Sequence, residues 1–372
     1  MSNASFLRSP ALRWAVPAVA VAAVAGGVVL SSAGADAAAQ LPPKTAAQLL
    51  ADVASAPEHA LSGTVVETAR LGLPDLPGRA AGTSLQSLVT GSHTARVWYG
   101  TDKKARISLV GDLAETDVVR NGRDVWLWSS QGNEATHYRL PEHADDATAT
   151  PTPTVDPSTA AQKALAAIDP STAVEVDGTG HVAGQDVYEL RLTPRDSRSL
   201  VGSVRLAIDA DTSVPLRVQV FARGGTEPAF ETGFTSVQFD QPDASVFSFT
   251  PPEGATVTQG TLPAGPSAKP SAGGKTPDHV AVPGDENAPT VVGKGWTSVA
   301  IVHGVDVAAL GKDATAGAIL GATKAVSGAY GSGRLLTTPL LSVLIVGDTA
   351  YVGAVDPSVV EQAAASAASS TS

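Results

Sequence analysis

The chain has 372 residues, 43% of them hydrophobic and 16% charged, and a formal net charge of −11. This length allows two domains with real cores, and the low charge content argues against general disorder. The acidic balance excludes a broad basic face for nucleic acid, and we predict no nucleic-acid partner. The absence of cysteine excludes disulfides, thiolate metal sites and a cysteine nucleophile.

The N-terminus has the form of an export signal. Arg8 and Arg13 precede the apolar run Ala15–Leu30, and small residues follow around Ala33. As a helix the run reaches about 24 Å, short of the ~30 Å hydrocarbon core, whereas the uncharged stretch from Trp14 to Ala35 is long enough to span it. We predict that residues 1–35 form a signal peptide or signal anchor. The protein would then be extracytoplasmic, either secreted or anchored to the cytoplasmic membrane.

The next segments predict one helix followed by many strands. Thr45–Ala56 is amphipathic, begins at a capping threonine and ends before Pro57. Asn121-Gly122 separates two strands as a type I′ hairpin turn does. The predicted strands are Ser62–Arg70, Thr94–Tyr99, Ala105–Gly111, Glu115–Arg120, Asp124–Trp128, Ala135–Leu140, Gln185–Thr193, Ser203–Asp209, Leu216–Phe221 and Ala229–Phe239.

The side chains alternate as in a sheet with one covered face. In Gln185–Thr193, for example, Tyr188, Leu190 and Leu192 share a face opposite Glu189 and Arg191. The segment DVWLWS (residues 124–129) differs, because both of its faces are apolar. Either this strand is central with both faces covered, or one face lines a cavity.

Two connections interrupt the strands. Leu71–His93 is long and rich in leucine, which favours a segment that packs as a lid. Pro141–Pro157 is rich in Pro, Thr and Asp and leads into a predicted short helix at Ser158–Ile168.

The rest of the chain predicts a linker and a small domain. Residues 257–293 are about one third Pro plus Gly, against the usual ~12%, which is typical of a linker. Residues 294–372 contain an apolar stretch, a polar glycine-rich middle, a hairpin turning at Gly347-Asp348 and a final helix. Their predicted bounds are Thr297–Val302, Leu340–Val346 with Thr349–Val355, and Pro357–Ala368.

Motifs of catalysis are not found. The seven histidines are scattered without metal-ligand spacing, and no nucleophile elbow, phosphate-binding loop or dinucleotide fingerprint occurs. We therefore predict no enzyme activity, no metal and no cofactor.

The notable residues are apolar and cluster in the first half of the main domain. Ordinary core packing explains any one of them, but together they suggest a curved sheet with a leucine-rich cover. Concave apolar pockets of this kind hold acyl chains. The predicted ligand-binding residues are Leu71, Leu73, Leu76, Leu85, Leu88, Trp98, Trp126, Trp128 and Tyr138.

Several segments resemble the LolA-like exported proteins of actinobacteria. The stretch Ile208–Leu216 (IDADTSVPL) and the ending Phe247–Gly254 (FSFTPPEG) carry most of the specificity. The resemblance covers about residues 41–256, and the addition of a small C-terminal domain is similar to RseB, a periplasmic regulator of an anti-sigma factor. It implies an α+β protein: a strongly curved, antiparallel, incomplete β-barrel covered by helices, plus a small α+β domain.

The resemblance implies a non-catalytic monomer that binds lipid or lipoprotein acyl chains in its concave cavity, with Leu71–Leu88 as lid. The alternative is an interaction module in which residues 294–372 contact a membrane protein, such as an anti-sigma factor or a transporter. A third reading, an envelope hydrolase, requires a catalytic constellation that the sequence does not display.

Overall fold

A computed structural model describes residues 41–72, 91–111, 114–140, 170–260, 289–311 and 314–370, with isolated positions between 157 and 168. The predicted signal or anchor (residues 1–35), most of the leucine-rich connection and residues 261–288 of the predicted linker lie outside these ranges. Within them, no helix has both the length and the hydropathy needed to cross a membrane.

A large curved sheet that does not close dominates the described part of the chain. Its strands, in chain order, are β1 (Leu61–Ala69), β2 (Ser92–Gly100), β3 (Lys104–Val110), β4 (Glu115–Asn121), β5 (Asp124–Ser129), β6 (Glu134–Arg139), β7 (Thr172–Val182), β8 (Gln185–Pro194), β9 (Val201–Asp209), β10 (Pro215–Ala222), β11 (Pro228–Gln238) and β12 (Thr256–Gln259). They follow the order β12-β6-β5-β4-β3-β2-β1-β11-β10-β9-β8-β7. The described part of the chain is therefore mostly β, with a large curved sheet and few helices.

Each predicted strand of the main domain is present, and two further strands were not predicted. β7 forms one edge of the sheet and pairs with β8, and β12 forms the other edge. β12 runs parallel to β6, whereas the other strand pairs of this sheet are antiparallel, so the predicted all-antiparallel sheet needs this correction. β12 also shows that the first residues of the predicted linker extend the main sheet.

One helix, α1 (Ala46–Ser55), packs on the sheet. Thr45 caps it, because its hydroxyl accepts a hydrogen bond from the Gln48 N–H while the Gln48 side chain accepts one from the Thr45 N–H at 2.8 Å. Leu49 is 1% exposed and belongs to the main core. We call the sheet face on this side the inner face. Residues 157, 158, 161 and 165 are also helical, within or next to the second predicted helix.

The small domain is a second sheet with its own core. It contains β13 (Thr290–Val292), β14 (Val299–Val302), β15 (Lys324–Gly328), β16 (Gly331–Thr337), β17 (Ser342–Val346) and β18 (Thr349–Gly353), in the order β13-β14-β18-β17-β16-β15. Its helices are α2 (Val307–Leu310), α3 (Ala314–Gly321) and α4 (Pro357–Ser370). The predicted hairpin and final helix are confirmed, whereas β15 and β16 occupy the glycine-rich middle, where no strand was predicted.

The two domains share backbone and side-chain contacts. Ser199 forms a β-bridge with Val355, and the Leu200 N–H donates to the Ala354 carbonyl at 2.9 Å. The indole N–H of Trp296, from the small domain, donates to the Thr172 hydroxyl of β7 at 2.8 Å. Both residues are buried, and Trp296 packs into the main core. The small domain thus completes the core of the large one.

This contact predicts that the two domains unfold together. Trp296→Phe removes the indole donor and should lower the free energy of unfolding by about 1 kcal/mol. Trp296→Ala should cost about 3–5 kcal/mol, because it also empties a packed site. Guanidinium unfolding curves of both variants and of Thr172→Val measure this. A double-mutant cycle without coupling between Trp296→Phe and Thr172→Val would contradict the hydrogen bond.

Candidate functional site

The strand register decides which side chains face inward. β1 lies between β2 and β11 and so joins the two halves of the sheet. Val65 of β1 pairs with Ala95, and Val97 of β2 pairs with Ile107. All four residues are buried and belong to the core under α1. Because side chains alternate along a strand, this fixes the inner face from β1 to β6.

A cleft of about 430 Å³ opens on the inner face. It lies between the end of α1, strands β2 to β4 and the turn from β9 to β10. This volume is within the ~300–1,000 Å³ that is typical of small-molecule sites. Its apolar lining residues are Val53, Ala56, Leu61, Tyr99, Ile107, Val118, Val214 and Pro215. The floor therefore suits a hydrocarbon chain.

Basic groups dominate the charged residues of the same cleft. Lys103, Lys104 and Arg120 line it, against one carboxylate, Glu58. The Nε of Arg120 donates to the Gly122 carbonyl at 3.0 Å, which fixes the guanidinium at the turn between β4 and β5. The cleft thus joins an apolar floor to a cationic side, an arrangement that complements a molecule with an apolar tail and an anionic head.

The predicted aromatic residues do not line one common surface. Val125 of β5 pairs with Tyr138, whereas Trp126 pairs with His137, so Trp126 and Tyr138 lie on opposite faces. Tyr138 packs on the inner side with Val118 and Val125, next to the cleft. The register places Trp126 and Trp128 on the outer face of the sheet, which is the face opposite α1. It places Trp98 and its cross-strand partner Arg106 on the same outer face. Alternation along β5 thus places the predicted aromatic residues on two faces of the sheet, and their role in ligand binding stays a prediction.

The outer tryptophans are covered by the end of the main domain. Trp126 stacks on His137 with ring centroids 4.4 Å apart, and Phe249 lies 5.4 Å from Trp126 and 6.4 Å from Trp128. The Arg106 guanidinium lies 5.8 Å from the Trp98 ring and also pairs with the buried Asp117. Of the two alternatives for DVWLWS, the central strand with both faces covered matches this packing.

The leucine set is only partly within the described residues. Leu71 is 5% exposed and belongs to the main core. Leu73, Leu76, Leu85 and Leu88 lie in residues 73–90, outside the described ranges, so the predicted lid stays a prediction.

One buried acid was not singled out from the sequence. Glu67 of β1 is fully buried, and neither carboxyl oxygen has a hydrogen-bond partner among the described residues. It pairs across the sheet with the buried residues His93 and Thr232. Burial raises the pKa of Glu67 well above the 4.5 of a solvated glutamate. The alternation of β1 places Glu67 on the inner face, which could have identified it.

The raised pKa gives the protein a pH-dependent stability. Folding favours the protonated acid, so the contribution of Glu67 is fully present below pH 4.5 and is lost as the pH rises towards the raised pKa. Glu67→Gln should therefore be more stable than the wild type at pH 7, and the difference should vanish near pH 4. Thermal unfolding from pH 4 to 8 measures this, with Glu231→Gln of the outer face as control. A wild-type advantage at pH 7 would contradict the buried neutral acid.

Comparisons with known proteins find one matching family model and several similar solved structures. The model of the MucB/RseB N-terminal domain matches residues 91–253, somewhat under half of the chain. No protein of curated function matches. Among solved structures, the Pseudomonas aeruginosa MucA/MucB complex is similar at 18% identity, covering 86% of this chain and 96% of that one, with a TM-score of 0.44.

Two further structures are similar over somewhat more than half of this chain. LprF from Mycobacterium bovis matches at 12% identity over 56% of this chain and 97% of its own, with a TM-score of 0.28. A LolA superfamily protein from Nitrosomonas europaea matches at 11% identity over 56% and 99%, with a TM-score of 0.22.

The match to the MucB/RseB N-terminal domain over residues 91–253 is in line with the RseB-like and LolA-like resemblance of the sequence.

Proposed function

We propose that the main domain binds the acyl chain of a lipid or lipoprotein, without catalysis, in the cleft between α1 and the inner face. The observation that carries this proposal is the cleft itself. Its volume is about 430 Å³, and it has an apolar floor beside three basic side chains. The proposal keeps the predicted ligand class but moves the site from the outer tryptophans to the surface under α1.

The driving force is hydrocarbon burial. Each methylene group transferred from water into the cleft gains about 0.8 kcal/mol. Val53, Val118 and Val214 come from three separate elements and enclose the space from different sides. An acyl chain would thus contact the end of α1, the sheet and the turn from β9 to β10 at once. Removing two methylene groups from the ligand should weaken binding by roughly tenfold.

The charged side of the cleft selects the head group. Lys103 and Lys104 lie at the turn from β2 to β3, where the inner face meets solvent. An anionic head group placed there keeps its hydration while the tail is buried. Partly exposed ion pairs contribute modestly, about 0.2–1 kcal/mol each, so charge tunes the choice of lipid and the apolar floor supplies most of the affinity.

In this proposal, residues 1–35 export the protein and either leave it secreted or anchor it to the membrane. Helices cover the cavity, with α1 as the described part of that cover and Leu71–Leu88 as its lid. The proposal treats the protein as a monomer.

The cleft and the predicted aromatic pocket can be distinguished by two matched substitutions. Val53→Trp fills the cleft with apolar volume and should reduce the binding of fluorescently labelled phosphatidylglycerol at least tenfold. Trp126→Ala removes an aromatic ring from the outer face and should leave that affinity within about twofold. Titration in detergent-free buffer measures both, with thermal unfolding as the fold control. If Trp126→Ala weakened binding and Val53→Trp did not, the acyl-chain site would lie at the outer tryptophans.

A second candidate function concerns the small domain. Its six-stranded sheet has a separate core and an exposed outer strand, β15. We propose that it contacts a membrane protein, such as an anti-sigma factor or a transporter, so that lipid in the main domain changes a protein contact. In the full chain, photo-crosslinkers at exposed positions of residues 299–370 should capture this partner, whereas Val53→Trp should abolish only the dependence of that capture on lipid.

A further inference from the structure

The small sheet ends in an edge strand with open backbone. β15 pairs with β16 on one side, and among the described residues no strand pairs with its other side. Four of its five residues are exposed, and Val326 is half-buried. Such an edge presents unpaired N–H and C=O groups to any extended segment that approaches it.

The hairpin geometry shows which backbone groups point outward. Ala329 and Tyr330 form a two-residue turn, so Gly328 and Gly331 are a hydrogen-bonded pair. Hydrogen-bonded and non-hydrogen-bonded pairs alternate from there. Ala325 and Ser327 therefore lie in non-hydrogen-bonded pairs and direct their N–H and C=O away from β16.

The hairpin of β17 and β18 shows independently that Ala325 directs its backbone groups away from β16. Its two-residue turn makes Val346 and Thr349 a hydrogen-bonded pair. Ile345 then pairs through hydrogen bonds with Arg334 of β16. The N–H and C=O of Arg334 therefore point toward β17 and do not bond to Ala325, the partner of Arg334 on β15.

The other edge strands have features that hinder pairing with a further strand, and β15 lacks these features. β7 has a bulge between Val176 and Gly178, and its Asp177 is ion-paired with Arg191. β12 and β13 have only four and three residues. Bulges, charges and short strands are the usual means of blocking edge pairing. β15 is regular, without proline, and has one charge at its first residue.

Charge around this edge favours an acidic partner. Residues 324–337 contain Lys324 and Arg334 and no carboxylate, in a chain of net charge −11. Arg334 is exposed, although it donates to the Thr323 hydroxyl at 2.7 Å and the Leu320 carbonyl at 2.8 Å. Two copies of this hairpin would bring like charges together, whereas a strand with aspartate or glutamate would be attracted.

We infer that β15 binds an extended, acidic segment of a partner protein as an added seventh strand. Main-chain hydrogen bonds from Ala325 and Ser327 supply the affinity, and Lys324 and Arg334 select for acidic side chains. This inference rests on the proposal that the small domain binds a protein, and it is independent of the lipid cleft.

The test uses the full chain and a displayed library of random heptapeptides. Selected peptides should combine β-branched residues with Asp or Glu, and synthetic copies give dissociation constants by fluorescence anisotropy. Ser327→Pro removes an outward N–H and should weaken binding at least tenfold, while Ser327→Ala keeps that N–H and should not. Lys324→Glu should weaken binding several-fold and flatten its salt dependence.

Methylating the peptide backbone tests strand addition without changing the protein. N-methylation of every second amide should abolish binding, and N-methylation of the intervening amides should have little effect. An absence of selected peptides, or equal effects at all amides, would overturn the inference. A dimer that Ser327→Pro dissociates would assign the edge to a second copy and also overturn it.

Failure of this inference can be separated from failure of the proposed partner function. If photo-crosslinkers on the small domain of the full chain capture the partner and Ser327→Pro does not reduce that capture, the small domain binds by another surface. If no position on the small domain captures a partner, the partner function itself is refuted.

Discussion

The structure depends on the pairing of β1 between β2 and β11. This strand joins the β2–β6 half of the sheet to the β7–β11 half, and its register sets which face of the sheet each side chain of β1 to β6 occupies. A shift of one residue would turn Val65 and the buried Glu67 outward and remove the floor of the cleft. Gly63 shows how tight this junction is, because a Cβ there would lie 2.3 Å from the Ser236 carbonyl oxygen.

The cleft follows from this junction together with α1. Among the described residues, α1 and the helical positions near Ala161 leave apolar surface accessible between Val53, Ile107 and Val214. The small domain closes the other end of the core through Trp296. The proposed lipid site and the proposed partner site lie on two sheets that are joined where Trp296, Leu340 and Ala354 enter the main core, and this contact is a physical route by which one event can influence the other.

Much of the fold could be predicted from the sequence, because its signals are local. Alternation in β8, β9 and β10, the Asn121-Gly122 turn and the Thr45 cap each depend on residues close in the chain. β15 and β16 were missed since serine and glycine give them no apolar alternation. β7 was missed because glycine and acidic residues interrupt it, and its pairing with β8 overrides that weak propensity.

The proposed site keeps the chemistry that the sequence suggests but lies at a different place. The alternation of DVWLWS separates Val125 from Trp126, but only the pairing with β6 and the packing of Phe249 show that the tryptophans face outward. The cleft residues come from α1, β4 and the turn before β10, more than 150 positions apart between Val53 and Val214. No local pattern brings such residues together.

The central claim is that acyl chains bind under α1, and photo-crosslinking tests it most directly. The full chain would be irradiated with a phosphatidylglycerol that carries a diazirine in its acyl chain, and the modified peptides would be identified by mass spectrometry. The account predicts adducts on the end of α1 and on the turn containing Val214. Adducts confined to Trp126–Trp128, or no saturable labelling, would contradict it.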